Sequence, residues 1–216
     1  MKPQVAVILP VCNSMPYLPV MLGELRKSTN FPFKLIIIES ESDDGTAEYV
    51  DRLELDNLEV YHTKKKGLPA AINFGIQKAG DLDVYLTQDD VIHFKLYGRD
   101  WLMEMWEASK KKGVGVVTGL GGHGKSGPEY VTGMNWAGTW NTYIPRKAIE
   151  KVGSFDENMS PGDDIDFCYR LGKAGFRGTM CNFWVQHHRL TEHGDVDSQE
   201  KTKKMSQYFK KKWGLK

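Results

Sequence analysis

No stretch of these 216 residues stays apolar for the roughly 20 positions that a membrane-crossing helix requires. Met1-Lys2-Pro3-Gln4 begins no signal peptide, so the expected setting is soluble and cytoplasmic. Cysteine is scarce. Cys12, Cys168 and Cys181 have neither the spacing of a zinc site nor the number for a disulfide framework, which points to a reducing compartment. Excess charge is missing as well: the formal net charge is +1, which gives no electrostatic reason to invoke nucleic acid. The lysine triplets at 64–66, 110–112 and 210–212 are short enough to be solvated faces or helix ends. Repeats, low-complexity tracts and linkers are also absent. With 40% hydrophobic and 26% charged residues, the chain has the composition of an ordinary soluble enzyme with one well-filled domain.

What is present centres on Val84-Tyr85-Leu86-Thr87-Gln88-Asp89-Asp90. A short apolar and aromatic run ends in two adjacent carboxylates, the pattern of a buried strand whose carboxyl end opens onto a site. In open α/β sheets ligands collect at that end. Two acids there repel each other unless a cation sits beside them, and hard oxygen ligands suit Mg²⁺ or Mn²⁺. The plainer reading is turn chemistry after a strand.

Upstream, Val5 to Leu9 is a continuous apolar run stopped by Pro10, as in a central parallel strand. Leu18, Met21, Leu22 and Leu25 recur at helical spacing, and Phe33 to Ile38 is a second buried strand. The acids and serines of residues 39–46 can cap a helix through Ala47, Val50 and Leu53. Leu58 to His62 is a third strand, and a helix carrying Ala70, Ala71, Phe74 and Ile76 leads into the central one. Strand alternating with helix predicts right-handed crossovers and a parallel sheet.

The second half differs. Trp101, Leu102, Met105 and Trp106 form an amphipathic helix, followed by a strand from Val114 to Thr118. Residues 119–133 hold six glycines, which predicts a mobile surface loop able to close as a lid. Trp136, Trp140 and Tyr143 are either core or a platform for a sugar face. Ser160-Pro161-Gly162-Asp163 reads as a capping box, with Ser160 at the N-cap and Asp163 at the third helical position. Asp166 is spaced to pair with Arg170. Asp164 is left without a structural duty, and a carboxylate at a helix start beside a cleft can take a proton from an attacking hydroxyl. A strand-like run from Phe176 to Val185 then reaches Gln186-His187-His188.

In this order the segments resemble family-2 glycosyltransferases. The resemblance runs from Val5-Ala6-Val7-Ile8-Leu9-Pro10-Val11 through Glu39-Ser40-Glu41-Ser42-Asp43-Asp44-Gly45-Thr46, Gly67 with Asn73, and Leu86-Thr87-Gln88-Asp89-Asp90. It continues through Gly153-Ser154-Phe155-Asp156-Glu157, Asp163 to Leu171, Lys173-Ala174-Gly175-Phe176 and the histidines, ending at Tyr208 to Gly214. It implies a GT-A fold: a Rossmann-like α/β domain over residues 1–216, with a mainly parallel central sheet flanked by helices and a small acceptor-side subsheet. Residues 1–90 would be the nucleotide-binding half, and 91–216 the acceptor-binding and catalytic half.

The resemblance also implies an inverting transfer of sugar from a nucleoside-diphosphate sugar to an acceptor hydroxyl, with Mn²⁺ or Mg²⁺ as cofactor. Donor contacts fall on Pro10, Val11, Glu39, Asp44, Gly67, Asn73, Gln88 and Asp89, with Glu39 near the base. Asp90 and His187 would ligate the metal, with His188 in reserve, and Asp164 would be the base. Acceptor choice is expected in residues 119–145. Three positions depart from the family pattern: Gln88 for the first acid of Asp-x-Asp, Glu39 for Asp, and Asp163 for Glu. A sugar-nucleotide-forming nucleotidyltransferase would carry a glycine-rich basic loop after the first strand, where this chain has Pro10-Val11-Cys12-Asn13-Ser14. A non-catalytic nucleotide-sugar-binding module would be free to lose Asp90, Asp164 and His187, all of which are present.

Overall fold

The computed structural model describes residues 2–64, 67–94, 98–123, 127–129, 138–187 and 196–216. The chain begins with β1 (Val5–Val11), α1 (Leu18–Ser28), β2 (Phe33–Glu39), α2 (Thr46–Asp51), β3 (Leu58–His62), α3 (Leu68–Ala79) and β4 (Asp83–Thr87). It continues with β5 (Val91–His93), α4 (Trp101–Ser109), β6 (Val114–His123), β7 (Gly127–Glu129), β8 (Asn141–Ile144), α5 (Arg146–Val152), α6 (Asp163–Lys173), β9 (Arg177–His187) and α7 (Val196–Trp213).

Among the described residues these strands form one sheet in the order β3-β2-β1-β4-β8-β6-β9-β5, with β7 added alongside β6. The first four strands are parallel, so their carboxyl ends share one edge. β8 joins β4 antiparallel, while β9 runs parallel to β6 and carries β5 antiparallel on its far side. The unbroken apolar run of β1 is explained by burial on both faces. Val5, Val7 and Leu9 pack with Leu18, Met21, Leu25, Trp101 and Met105, whereas Ala6 and Ile8 pack with Ala71, Ile72, Ile76 and Phe167.

Three expectations are corrected. Pro10 does not stop β1, which runs on to Val11 against β2; β4 pairs only as far as Ile8, so no ladder partner on that side needs the proline's missing N–H. Residues 119–123 are not loop but the continuation of β6 along β9, and residues 127–129 pair back onto β6. Gly119 serves close approach there, since a Cβ would lie 2.4 Å from Phe183 Cζ. The rest of the expected lid, at 124–126 and 130–133, lies outside the described residues, as does Trp136. The capping box does not form either. Gly162 is the N-cap of α6 at φ 100°, and Asp163 is the first helical residue with no side-chain cap bond. A side chain at 162 would strike Met205, whose Sδ lies 2.6 Å from where a Cβ would stand. The aromatic choice resolves towards core: Tyr143 is fully buried and Trp140 packs against the same cluster.

Candidate active site

The parallel edge makes the site. The carboxyl ends of β1, β2, β3 and β4, with the start of α3, enclose a cavity of about 570 Å³ lined by Pro10, Val11, Cys12, Ser40, Glu41, Thr63, Gly67, Leu68, Ala71, Gln88 and Asp89. That volume suits a nucleotide-sized ligand. Pro10, Val11, Gly67, Gln88 and Asp89 therefore stand where donor contacts were expected. The turn after β4 is tight, with Val91 N–H donating to Gln88 O at 3.2 Å, so Asp89 and Asp90 project from the strand end. Asp90 Oδ1 is buried.

The other three expected donor contacts, Glu39, Asp44 and Asn73, do not line this cavity. Glu39 is 3% exposed. Its Oε1 accepts the Ser42 N–H at 2.7 Å, and its Oε2 meets His62 Nδ1 at 2.8 Å. Burial alone would raise this carboxyl, but the Ser42 and His62 bonds outweigh it and hold the pKa below the usual value. Asp44 ties two loops together: its carboxylate accepts Met15 N–H at 3.0 Å and Thr46 N–H at 2.9 Å. Neighbouring bonds from Asn13 N–H to Ser42 Oγ and from Ser14 N–H to Thr46 Oγ1 continue this lacing. Asn73 faces away from the cavity edge of α3. Its amide donates to Phe155 O at 2.9 Å and to Glu157 Oε1 at 3.0 Å, and accepts the Phe155 N–H at 2.9 Å. One helix thus carries a cavity wall at Gly67 and Leu68 and also fixes the loop that leads into α6.

Helix α6 begins with the two acids. Asp164 is half-buried, and its Oδ1 accepts the Ile165 N–H at 2.8 Å. Asp163 is 5% exposed, with Oδ2 buried and unpartnered; burial, then repulsion from Asp164, pushes its pKa up to about 7. The predicted Asp166–Arg170 pair forms at 2.8 Å. Asp166 also accepts from Trp213 Nε1 at 3.0 Å and Lys212 Nζ at 2.8 Å, so α7 braces the helix that presents Asp164.

Strand register brings the expected metal ligands to one region. β5 follows directly on Asp90, and its first residue, Val91, is registered against His187 at the end of β9. His188 lies outside the described residues. The same strand contributes His93, a residue that sequence reasoning missed. Its Nε2 lies 2.8 Å from Tyr85 Oη, its ring stacks on Trp101, and burial depresses its pKa to about 3. It is a neutral core residue that fixes β5 behind the acids. Also missed were Cys12, Ser40, Glu41 and Thr63, whose only signal is their position just past strand ends.

Burial, followed by Glu39, Asp43, Asp44 and Asp89, raises the Cys12 thiol above its ordinary value. Four described carboxylates thus lie close enough to Cys12 to act on it. The β1–α1 connection contains neither glycine nor lysine, unlike a phosphate-cradling loop.

The model of the family described as Glycosyl transferase family 2 matches residues 6–176. The chain belongs to that family. It is 26% identical over 195 residues to the succinoglycan biosynthesis protein ExoA of Rhizobium meliloti, and 26% identical over 217 residues to the glycosyltransferase AglE of Haloferax volcanii. These matches cover 79% and 90% of this chain, and the chain spans 58% and 69% of those proteins. Among solved structures it resembles the mannosyltransferase PcManGT from Pyrobaculum calidifontis in complex with GDP-Man and Mn²⁺. That match has a TM-score of 0.73 and 18% identity, over 94% of this chain and 61% of that one. It also resembles S. aureus TarS in complex with UDP-GlcNAc, with a TM-score of 0.71 and 17% identity, over 95% and 66% of the two chains. The chain therefore has the GT-A fold. No helix among its described residues is long and apolar enough to cross a membrane.

Proposed function

We propose that this transferase moves a sugar from a nucleoside-diphosphate sugar to an acceptor hydroxyl with inversion at the anomeric carbon, assisted by Mn²⁺ or Mg²⁺. The observation that carries the reading is the cavity at the parallel strand ends, with Asp89 and Glu41 in its wall and Glu39, Asp43 and Asp44 near Cys12. A diphosphate is itself anionic, so it can settle beside Asp89 and the carboxylates around it only with a cation between them.

The residues fit such an ion. Asp89 and Asp90 offer hard oxygen donors, and the β5–β9 register sets His187 beside the residue that follows Asp90. Among the described residues no three His, Cys, Asp or Glu side chains converge on a metal-sized point. Mg²⁺ and Mn²⁺ take one or two carboxylates and complete their shell with substrate phosphates and water. When bound, the ion neutralises charge on the leaving diphosphate. Gln88 is neutral and can donate a hydrogen bond but adds no charge. The nucleoside half of the donor occupies the space walled by Pro10, Val11, Ser40, Thr63 and Leu68. Asp164 accepts the acceptor's proton as its oxygen attacks, a role typically contributing ~10²–10⁴-fold.

The titration of nucleoside diphosphates by calorimetry, with Mn²⁺ and then with EDTA, tests the reading. Binding should need the cation and should vanish in Asp90→Ala while the fold is retained. Equal affinity in both conditions would remove the metal from the scheme. In single-turnover assays Asp164→Asn should lose transfer while keeping donor affinity.

A further inference from the structure

We infer that the outward face of α7 docks on an anionic lipid surface. Residues 201–216 contain seven lysines and no Asp, Glu or Arg. Against the chain's net charge of +1, this segment carries +7 and the remainder −6. The lysines are also sorted. At 100° per residue, Lys203 with Lys210 and Lys204 with Lys211 fall into two adjacent rows within an arc of about 120°. All four are exposed. The opposite face is committed to the protein. Met205 covers Gly162, Phe209 and Trp213 pack on Tyr169, and Lys212 is bound by Asp156 and Asp166. Packing thus holds the lysine rows outward. Of the four, Lys204 pairs with Glu200 at 2.6 Å, but both side chains are more than half exposed, and such a pair is weak.

The chemistry of this face favours a bilayer over other polyanions. Duplex recognition draws on arginine's planar fork, and none is present in this segment. A charged bilayer asks only for diffuse positive charge within a Debye length of its headgroups, with amphipathic or apolar side chains at the boundary. Leu215, 42% exposed, supplies an apolar one, and Tyr208 flanks the face with its ring 38% exposed while its Oη donates to Asp156 at 3.2 Å. The remainder of the chain is net negative, so the densest run of positive charge in the sequence lies on this segment. This inference is independent of the proposed transfer chemistry.

Sedimentation of the whole protein with vesicles tests it. Vesicles of phosphatidylcholine containing phosphatidylglycerol should carry the protein down, pure phosphatidylcholine vesicles should not, and added salt should release it. At ~5-fold per lysine, the variant K203E/K204E/K210E/K211E should partition roughly 100-fold or more weakly. Its melting temperature and nucleotide affinity should match the parent, since none of the four touches the cavity. If the reversals prevent folding, the set K203Q/K204Q/K210Q/K211Q reads the same loss in smaller measure. The inference is overturned if the parent ignores anionic vesicles, binds neutral ones equally, or prefers duplex DNA at matched salt. Undiminished vesicle binding by the variant would overturn it too.

Discussion

Replacing Asp163 by Asn should stabilise the transferase at alkaline pH and change little at acid pH. The carboxyl is 5% exposed, its Oδ2 has no partner, and its pKa rises from 3.8 to about 7. An acid with a raised pKa binds its proton more tightly in the folded chain than in the unfolded one. That contribution is complete below the unfolded value near 3.8 and is lost as pH rises through about 7. The interval spans about 3 pH units, and at ~1.4 kcal/mol each it sets a ceiling of ~4 kcal/mol. Local relaxation and water entry reduce this, and half the ceiling moves the melting temperature of a chain this size by ~4–8 °C. Asn keeps the shape and the same unpartnered polar end but never ionises, so the variant escapes the loss. Melting curves of both proteins from about pH 4 to about pH 9 should therefore diverge progressively and run parallel above about pH 8. A gap that does not change with pH would mean that folding does not raise the Asp163 pKa, and the account of its burial would fail. Turnover of the variant should remain substantial, in contrast to Asp164→Asn.

Cys12 lines the cavity and is exposed, so bound nucleoside diphosphate should slow its alkylation at alkaline pH; labelling at an unchanged rate would place the ligand elsewhere. His62 has its pKa raised by its bond to Glu39 and then by Asp51, so its contribution is complete below 6.5 and lost as pH rises through the folded value. His62→Gln should accordingly lower the melting temperature more at about pH 5.5 than at about pH 9, and the reverse order would contradict the pairing. Gly119→Ala should cost ~1–3 kcal/mol through overlap with Phe183, and Phe183→Leu in the same chain should restore part of it; a neutral Gly119→Ala would show that β6 and β9 pack loosely.

The strands of the parallel half were legible because burial on both faces demands continuous apolar runs, and those runs end where the cavity begins. The Asp166–Arg170 pair was legible because helical spacing alone brings the two together. What escaped was decided across distance in the chain. Six glycines between 119 and 133 suggested a lid, yet at least Gly119 is there because Phe183 lies against it. Ser160 and Asp163 had the spacing of a capping box, but Gly162 under Met205 starts the helix later and turns Asp163 inward. The bond between Glu39 and His62 joins two neighbouring strands, and nothing in the local spacing of either residue announces it. Local propensity cannot report a partner supplied by another element.

The strand order bears on how such proteins can be recombined. Asp83–Thr87, the strand that delivers the acids, has β1 on one side and β8 on the other, and the latter arrives more than fifty residues later. Tyr85 Oη donates to Asn141 Oδ1 at 3.1 Å, and Asp83 receives Tyr143 Oη at 2.8 Å and Arg146 N–H at 2.7 Å. A crossover between homologous chains near position 90 would exchange the donor cavity whole but divide each of these buried pairs between two ancestries. A fragment ending there would leave Tyr85 and Leu86 on an open sheet edge, a template for aggregation. Grafting a different donor preference onto this scaffold is therefore better done residue by residue along the cavity wall, at Ser40, Glu41, Thr63 and Leu68, than by trading halves.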